Sequence, residues 1–430
     1  MKSGRPINWA NENLAQNAGW MFLGRGLSVL CQSTYFLLLT RLLGSTEYGI
    51  YVGAVALVAI LSQYTALGSH SVLLRYVSAN PKLFPEYWGN VLVTTLCLGG
   101  TVTLLIAWGG ALVSRSYAPT FLLFIAIGDC LFAQVTIAAG RVFQAFERMH
   151  ATAALNLLTN AVRMMFAAGL LLRFHRTSAR YWVFVTMTVS AIAAITAVAA
   201  VSRSYGRPRF IPRLLRLRTG EGLVFAFSYS TTGIYNDIDK VMLGYFGMNM
   251  ANGVYTMAYR LVDVCTMPLY AIQSAAFPRF FKKGAAAGVQ STKAFAASIA
   301  IRTAPLCAVV AVAMFWLAPI IPHLAGKSFA GSVSALRWLC LLPLFRSFHV
   351  SAGDALSGAG QQKFRLSTQA VAAAFNFVIN LFLIPRFGWT GAAWSSLATD
   401  GLLAILNWTL LLTLSKNSEI VTSLLTNRAA

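Results

Sequence analysis

Asp237 and Asp239, in the run IYNDIDKVMLGY at 234–245, have the D-x-D spacing with which many glycosyltransferases hold a metal and a nucleotide sugar. That chemistry needs both carboxylates to converge from a loop or strand end. On a helix, residues two apart point about 200° away from each other and cannot share one ion. Other signatures fail on their own residues. AGKS at 325–328 has the end of a P-loop, but Ile321 stands where the first Gly belongs and no strand precedes it. GRGLSV from Gly24 lacks the last Gly of a dinucleotide loop. Cys31, Cys97, Cys130, Cys265, Cys307 and Cys340 show no C-x-x-C or Cys/His spacing suited to a metal. The sequence therefore calls for no metal or other cofactor.

What positions these residues is a membrane. The chain has 430 residues, 57% hydrophobic and 11% charged, well outside the globular balance. Apolar runs near the roughly 20 residues a bilayer-crossing helix needs recur along it. Twelve spans are expected near 14–40, 48–69, 88–113, 118–141, 151–172, 181–202, 222–245, 252–277, 295–320, 330–355, 366–385 and 389–414. The first is too long for a signal peptide and lacks a small-residue cleavage site. Asp237 and Asp239 then fall inside span 7, on opposite faces: Asp237 with Ser230, Gly233, Lys240 and Gly244, Asp239 with Ser228, Thr232 and Tyr235.

The net charge of +22 would raise nucleic acid as a partner in a soluble chain, but its placement sets topology instead. With the N-terminus inside, Lys and Arg number 19 in the cytoplasmic segments and 7 outside, which puts both termini in the cytoplasm. Arg173, Arg176 and Arg180 are the local exception. The densest basic block, RSYGRPRFIPRLLRLR at 203–218, lies between spans 6 and 7, where it suits anionic lipid headgroups. It divides the chain into a six-helix lobe at 1–202, a cytoplasmic linker at 203–220 and a second six-helix lobe at 221–430. Internal echoes support two related halves: Gly44 before Gly49-Ile50-Tyr51 matches Gly247 before Gly253-Val254-Tyr255, with one residue inserted. Asn156 and Asn160 in span 5, and Asn376 and Asn380 in span 11, form further i, i+4 pairs.

All six Glu lie in loops or at span ends, whereas Asp129, Asp237, Asp239, Asp263, Asp354 and Asp400 lie inside spans. Arg25, Arg141, Arg163, Lys240, Arg260, Arg302, Arg337 and Arg346 accompany them, with Arg141, Arg346 and Asp354 close enough to span ends to snorkel. Facing lipid, these fourteen would cost about 2.5–3.5 kcal/mol each, or about 35–50 kcal/mol together. They must pair or line a wet passage. Polar stripes form at helical spacing: Arg25, Ser28 and Gln32; Asn156, Asn160 and Arg163; Arg260 and Asp263; Gln369, Asn376 and Asn380; Ser396, Asp400 and Asn407. Single stripes also suit interhelical hydrogen bonds. Five together, with a surplus of Arg, point to a central passage for anionic cargo, since guanidinium matches phosphate oxygens in pairs.

The chain resembles the oligosaccharide-lipid flippases, the Wzx-like polysaccharide transporters of the multidrug/oligosaccharidyl-lipid/polysaccharide exporter superfamily. The resemblance rests on LTRLLGSTEYGIYVGAVAL after span 1, DKVMLGYFGMNMANGVYTMAYRL across spans 7 and 8, and LSGAGQQKFR leading into NFVINLFLIPRFGWTGAAWSSLATD across spans 11 and 12. It implies an all-α polytopic membrane protein with about 12 transmembrane helices in two pseudo-symmetric six-helix lobes around a central cavity. It also implies alternating access and an undecaprenyl-pyrophosphate-linked oligosaccharide moved from the cytoplasmic to the periplasmic leaflet of the bacterial inner membrane. Cell-surface polysaccharide biosynthesis, such as O-antigen, capsule or exopolysaccharide, would be served, with a polysaccharide polymerase and a chain-length regulator as possible partners.

On this reading the lobes rock about the linker. Arg25, Arg163, Arg260 and Arg302, with Gln32, Asn376 and Asn380, hold the pyrophosphate and first sugars. Asp237, Asp239, Lys240, Asp263 and Asp400 pair charges or couple transport to H+ or Na+. Two alternatives stay open: a cation-coupled drug or metabolite antiporter of the same superfamily, and a membrane polysaccharide polymerase or ligase. The enzyme reading is disfavoured because the longest external connection, near 173–180, holds roughly eight residues and its His175 has no carboxylate neighbour.

Overall fold

Long apolar runs interrupted by Gly, Pro and short polar breaks give helices joined by tight turns, and no strand occurs among the described residues. The structure is a computed structural model that describes residues 9–113 and 117–429. Within them it describes the side chains other than those of 9–25, 111–113, 215, 224–225, 227–229, 231–232, 235 and 418–429. The expected role of Arg25 and the Ser228, Thr232 and Tyr235 face therefore lie outside the described side chains.

In chain order the helices are α1 (9–43), α2 (45–62, resumed after a turn at Ser69–Ala79), α3 (Phe84–Val113), α4 (119–145), α5 (Met149–Phe174) and α6 (Ala179–Tyr205). They continue as α7 (Pro212–Tyr245), α8 (249–286), α9 (289–317), α10 (Ser332–Leu339 and Leu342–Gly358), α11 (Gln362–Phe387) and α12 (Trp389–Ala429). Two breaks coincide with the sequence echo. Gly44 between α1 and α2 has φ 71°, and Gly247 between α7 and α8 has φ 70°, a left-handed backbone that suits Gly. A third break, at Ala287 and Gly288, separates α8 from α9.

Eight helical stretches among the described residues are long and apolar enough to cross a membrane, and two of them, Gly26–Ser62 and Asn249–Ala325, each hold two of these helices. The remaining pair are explained by composition. α7 carries Asp237, Asp239 and Lys240, and α10 is interrupted at Cys340 and Leu341. Large apolar side chains are exposed along the outer faces, including Trp108, Leu172, Ile301, Val309 and Trp316, as lipid contact requires.

The chain divides into two compact units, Met1–Ser230 and Thr231–Ala430. In unit 1, one core cluster joins Val72, Leu73, Trp88, Ala138, Val142 and Val201, and a second joins Ala54, Val58, Ile106, Leu122, Ile125 and Val183. α4 carries a π-helical segment, Ile127–Phe132, which holds Asp129. The N-terminus of α6 is capped from a distance: Glu47 Oε2 accepts from the Ala179 N–H at 2.7 Å, placing a carboxylate at the positive end of the helix.

The basic segment between α6 and α7 is hydrogen-bonded to α3 within unit 1. Asn90 Nδ2 donates to the Ile211 carbonyl at 3.1 Å, and the Ile211 N–H donates back to Asn90 Oδ1 at 2.9 Å. The Arg209 N–H donates to the Pro85 carbonyl at 2.7 Å. Gly89 permits this approach, since a Cβ there would lie 2.4 Å from the Arg209 backbone. Beyond it, Glu221 on α7 accepts from Arg75 and Tyr76 of α2, and the Arg218 guanidinium lies 4.2 Å from the Tyr76 ring centroid.

In unit 2 the core joins Ala276, Phe280, Ile299, Ala352, Ala355, Leu356 and Leu411. α8 and α10 meet through glycine, because a Cβ at Gly358 would fall 2.6 Å from the Phe280 backbone. α11 runs to Phe387 with Pro385 inside its last turn, and Gly388, at φ 57°, caps it. Gly391 then lets α12 start against α11, since a Cβ there would lie 2.5 Å from the Leu383 carbonyl, and Ala392 and Ala393 are fully buried.

Candidate functional site

In unit 2 the span-7 carboxylates are joined by the lysine between them. Lys240 Nζ lies 2.8 Å from Asp237 Oδ1, 3.7 Å from Asp239 Oδ1 and 2.5 Å from the Asn236 carbonyl. The ammonium thus stands where the metal of a D-x-D site would have to bind. Asp239 is buried, accepts from the Tyr255 hydroxyl and is approached by Ser396 Oγ of α12 at 3.3 Å, whereas Asp237 is 31% exposed. Among the described residues no group of three His, Cys, Asp or Glu side chains is placed to hold a metal ion.

A second ion cluster lies one step along α8, α10 and α12. Arg346 donates from Nη1 to Asp263 Oδ1 at 3.0 Å and from Nη2 to the Tyr259 hydroxyl at 2.7 Å. Its Nε lies 3.5 Å from Asp400 Oδ2, and His349 Nε2 lies 3.8 Å from Asp400 Oδ1. Tyr259 connects the two clusters, with Lys240 Nζ 4.5 Å from its ring centroid. A third pair, Arg365 to Asp354 at 3.1 Å, ties α11 to α10 and also donates to Ser357. Together these contain five Asp against the bases Lys240, Arg346 and Arg365. Buried pairs of this kind rarely stabilise a fold relative to apolar packing, so such a concentration points to function.

The second and third clusters border a cavity of about 260 Å³, lined by Arg346, His349, Arg365 and Asp400 together with Asn236, Tyr270, Gln369 and Asn407, among others. Gly353 helps to keep it open: a Cβ there would lie 3.3 Å from Arg365 Nε and 3.4 Å from Asn407 Nδ2.

Unit 1 holds a different kind of pocket. Arg163 on α5 donates from Nη2 to Ser190 Oγ of α6 at 2.8 Å, and Asn160 donates to Ser28 of α1 at 2.9 Å. Thr136, Asn156, Thr159, Asn160, Arg163 and Ser190 line a pocket of about 170 Å³, with no carboxylate among its lining residues. Arg163 Nε is buried and makes no hydrogen bond.

The expected site residues separate into groups. Arg163 occupies the unit 1 pocket, and Asp237, Asp239, Lys240, Asp263 and Asp400 form the unit 2 network. Gln32 is exposed on α1, Arg260 on α8 and Arg302 on α9, the last between the exposed apolar side chains of Ile301, Leu306 and Val309. Asn376 and Asn380 are not presented to a passage. Both are buried, Asn376 Nδ2 donating to Ser395 at 3.2 Å and Thr399 at 2.8 Å, and Asn380 donating to Asn376 at 3.0 Å. Their amides are used to hold α11 to α12.

Arg346 and Asp354 do not snorkel; both are 5% exposed and ion-paired inside the helices. With His349, Tyr259 and Tyr255 they are the residues that the expected set omits. Arg346, His349 and Gly353 share a helical face at i, i+3, i+7, a polar stripe like the five identified elsewhere.

Comparison with known proteins fits this architecture. Residues 14–283 match the family described as polysaccharide biosynthesis protein. An uncharacterized membrane protein of Methanocaldococcus jannaschii is 19% identical over 417 residues, covering 89% of this chain and 80% of its own. A multidrug resistance MATE family transporter of the MOP superfamily, in its inward-facing conformation, aligns with TM-score 0.68 at 14% identity, over 91% of this chain and 94% of that one. A MOP superfamily transporter from Pyrococcus furiosus, whose binding pocket is described as having reverse polarity, aligns with TM-score 0.61 at 14% identity, over 93% and 95%. The chain is a multi-pass membrane protein of the polysaccharide biosynthesis family, built on the twelve-helix, two-lobe fold of the MOP superfamily transporters.

Proposed function

We propose that the protein is a flippase that moves an undecaprenyl-pyrophosphate-linked oligosaccharide from the cytoplasmic to the periplasmic leaflet of the bacterial inner membrane by alternating access. The observation that carries this reading is the pairing of family and fold: a polysaccharide biosynthesis family chain with a transporter architecture acts on glycans by moving them. The unit 1 pocket supports an anionic headgroup, because Arg163 and neutral hydrogen-bonding side chains line it without a carboxylate. Exposed Arg260 is the remaining described base of the proposed cargo path, since Arg302 stands among the exposed apolar side chains of α9. Both termini lie in the cytoplasm on this reading, where the basic segment at 203–218 meets anionic lipids. The flipped repeat unit then passes to a polymerase and chain-length regulator outside.

A cation-coupled antiporter is the second reading, favoured by the excess of carboxylates over bases within the three ion clusters of unit 2. Under the flippase reading those carboxylates carry the coupling ion and not the cargo. Deleting the gene separates the possibilities. Lipid-linked repeat units trapped on the cytoplasmic leaflet are expected. Normal glycans with altered drug sensitivity would support the antiporter, and repeat units that reach the periplasm but are not polymerised would support an enzyme.

A further inference from the structure

Arg302 is a base that neither the ion clusters nor the unit 1 pocket engages. It stands on α9 beside Ile301, Pro305, Leu306 and Val309, all exposed, and has no hydrogen-bond or ion-pair partner among the described residues. An unpaired guanidinium on a lipid-facing surface is costly unless it reaches phosphate or water. The helix sets the direction of that reach. Side chains lean toward the N-terminus of their helix, so Arg302 points back along α9 toward the α8–α9 turn at Ala287 and Gly288. Phe295, Ser298, Leu306 and Val309 share its face at helical spacing, and Phe295, seven residues back, lies about 10.5 Å nearer the turn. Lys283 Nζ stands 5.4 Å from the Phe295 ring centroid, and that ring packs edge-on against Phe280 of α8 at 4.8 Å. Two bases from different helices thus border one face, with an aromatic ring between them.

The surroundings carry one sign of charge. Arg279, Lys282, Lys283 and Lys293 flank the turn, and no Asp or Glu occurs between Asp263 and Asp354. Phe281, 46% exposed, stands beside the two lysines, a combination of apolar ring and bases suited to headgroup depth. In unit 1, α3 follows α2 as α9 follows α8, and there the chain covers its own corner: the basic segment is hydrogen-bonded over the start of α3 at Pro85 and Asn90. At the α8–α9 turn Phe281, Lys282 and Lys283 stay exposed.

We propose that the α8–α9 corner of unit 2 is a docking site for an anionic phospholipid of the leaflet that meets this turn. Arg302 holds the phosphate, Lys283 borders the headgroup, and an acyl chain runs along Leu306 and Val309. Charge complementarity selects the occupant. A guanidinium matches phosphate oxygens in pairs, and the further bases around the turn favour a headgroup of net negative charge over a zwitterionic one, whose ammonium they repel. Arg302 therefore leaves the set expected to hold cargo and ties the unit to the surrounding bilayer. The site rests on the membrane placement of the chain and not on the flippase reading.

The test is native mass spectrometry of the full chain in detergent, titrated with phosphatidylglycerol or with phosphatidylethanolamine of the same acyl chains. The wild type is expected to retain phosphatidylglycerol at least fivefold more strongly. Arg302→Gln is expected to reduce that retention at least threefold, Lys283→Gln to reduce it less, and Arg302→Lys, which keeps the charge, to preserve at least half. Arg337→Gln, beside Phe315 near the other end of α9, is expected to leave it unchanged. Equal retention of the two lipids by the wild type overturns the proposal, as does undiminished retention in Arg302→Gln. Displacement of the Arg302-dependent lipid by an equimolar amount of undecaprenyl pyrophosphate also overturns it, since the corner would then hold cargo. Arg302→Gln gives up no internal contact, so its melting temperature in detergent is expected to match the wild type. A lowered one would make Arg302 structural and overturn the proposal as well. Failure of flipping in liposomes with this lipid selectivity intact would refute the transport reading alone.

Discussion

The two units share a backbone device and differ in what they place around it. In unit 1, α1 and α2 meet at Gly44 with φ 71°, and in unit 2, α7 and α8 meet at Gly247 with φ 70°. Seven residues after the first break stands Tyr51, and eight after the second stands Tyr255. The polar interiors then diverge. Unit 1 joins its helices through neutral partners, Asn160 to Ser28 and Arg163 to Ser190. Unit 2 joins them through ions, with Lys240, Arg346 and Arg365 set among five Asp. A common scaffold explains the helix breaks but not the buried ion pairs, which are expensive to form and, among the described residues, cluster in unit 2. On the proposed reading the difference divides the labour, with the anionic headgroup met in unit 1 and the coupling ion in unit 2.

Stability measurements can break that contrast, and the largest effect is expected at Arg346. Arg346→Ala strands Asp263 and Asp400 without their base, and should cost about 3–5 kcal/mol in detergent unfolding. Lys240→Met should cost a comparable amount for the same reason, with part recovered when Asp239→Asn is added. If Lys240→Met were neutral, the network would be ornamental and the contrast would fail.

A smaller loss is expected in unit 1. Arg163→Ala removes a hydrogen bond to a neutral serine, worth about 1 kcal/mol, yet should slow flipping at least tenfold. Equal stability losses for Arg163→Ala and Arg346→Ala would remove the proposed distinction. The Asn residues sharpen it further. Asn376→Ala breaks bonds to Ser395, Thr399 and Asn380 and should cost about 2–3 kcal/mol, against about 1 kcal/mol for Asn160→Ala.

A local effect concerns the bound basic segment. Asn90→Ala removes its two-way bond with Ile211 and should cost about 1–2 kcal/mol while increasing proteolysis at 206–211. Gly89→Ala should release the same segment through contact with Arg209. Unchanged proteolysis in both variants would mean that this strap does not hold the segment.

Much of the helical layout was legible because hydropathy, breakers and basic loops vary on the scale of a span. The Gly44 and Gly247 echo was legible because a left-handed turn selects glycine. The site was legible only in part. Asp237 and Asp239 do point apart along α7, but the four-carbon stem of Lys240 reaches both, which a wheel of rigid directions cannot show. Arg346 and Asp354 look peripheral in the sequence because they stand near the end of a span, whereas α10 is interrupted at Cys340 and Leu341 and both side chains are buried and ion-paired within their unit. Asn376 and Asn380 looked like cargo ligands because an amide stripe has the same spacing whether it faces water or a neighbouring helix. The basic linker showed its charge, but its attachment depends on Asn90 and Gly89, more than a hundred residues away in sequence.

The most direct test of the central claim is flipping itself. The purified chain is reconstituted in liposomes with a fluorescent undecaprenyl-pyrophosphate oligosaccharide in one leaflet, and its appearance in the other is followed by quenching. Transfer well above that of protein-free liposomes, slowed at least tenfold by Arg163→Ala with the protein still folded, is the predicted result. Transfer by the wild type no faster than in protein-free liposomes, across pH 5 to 8 and with a pH gradient of either sign, would contradict the account.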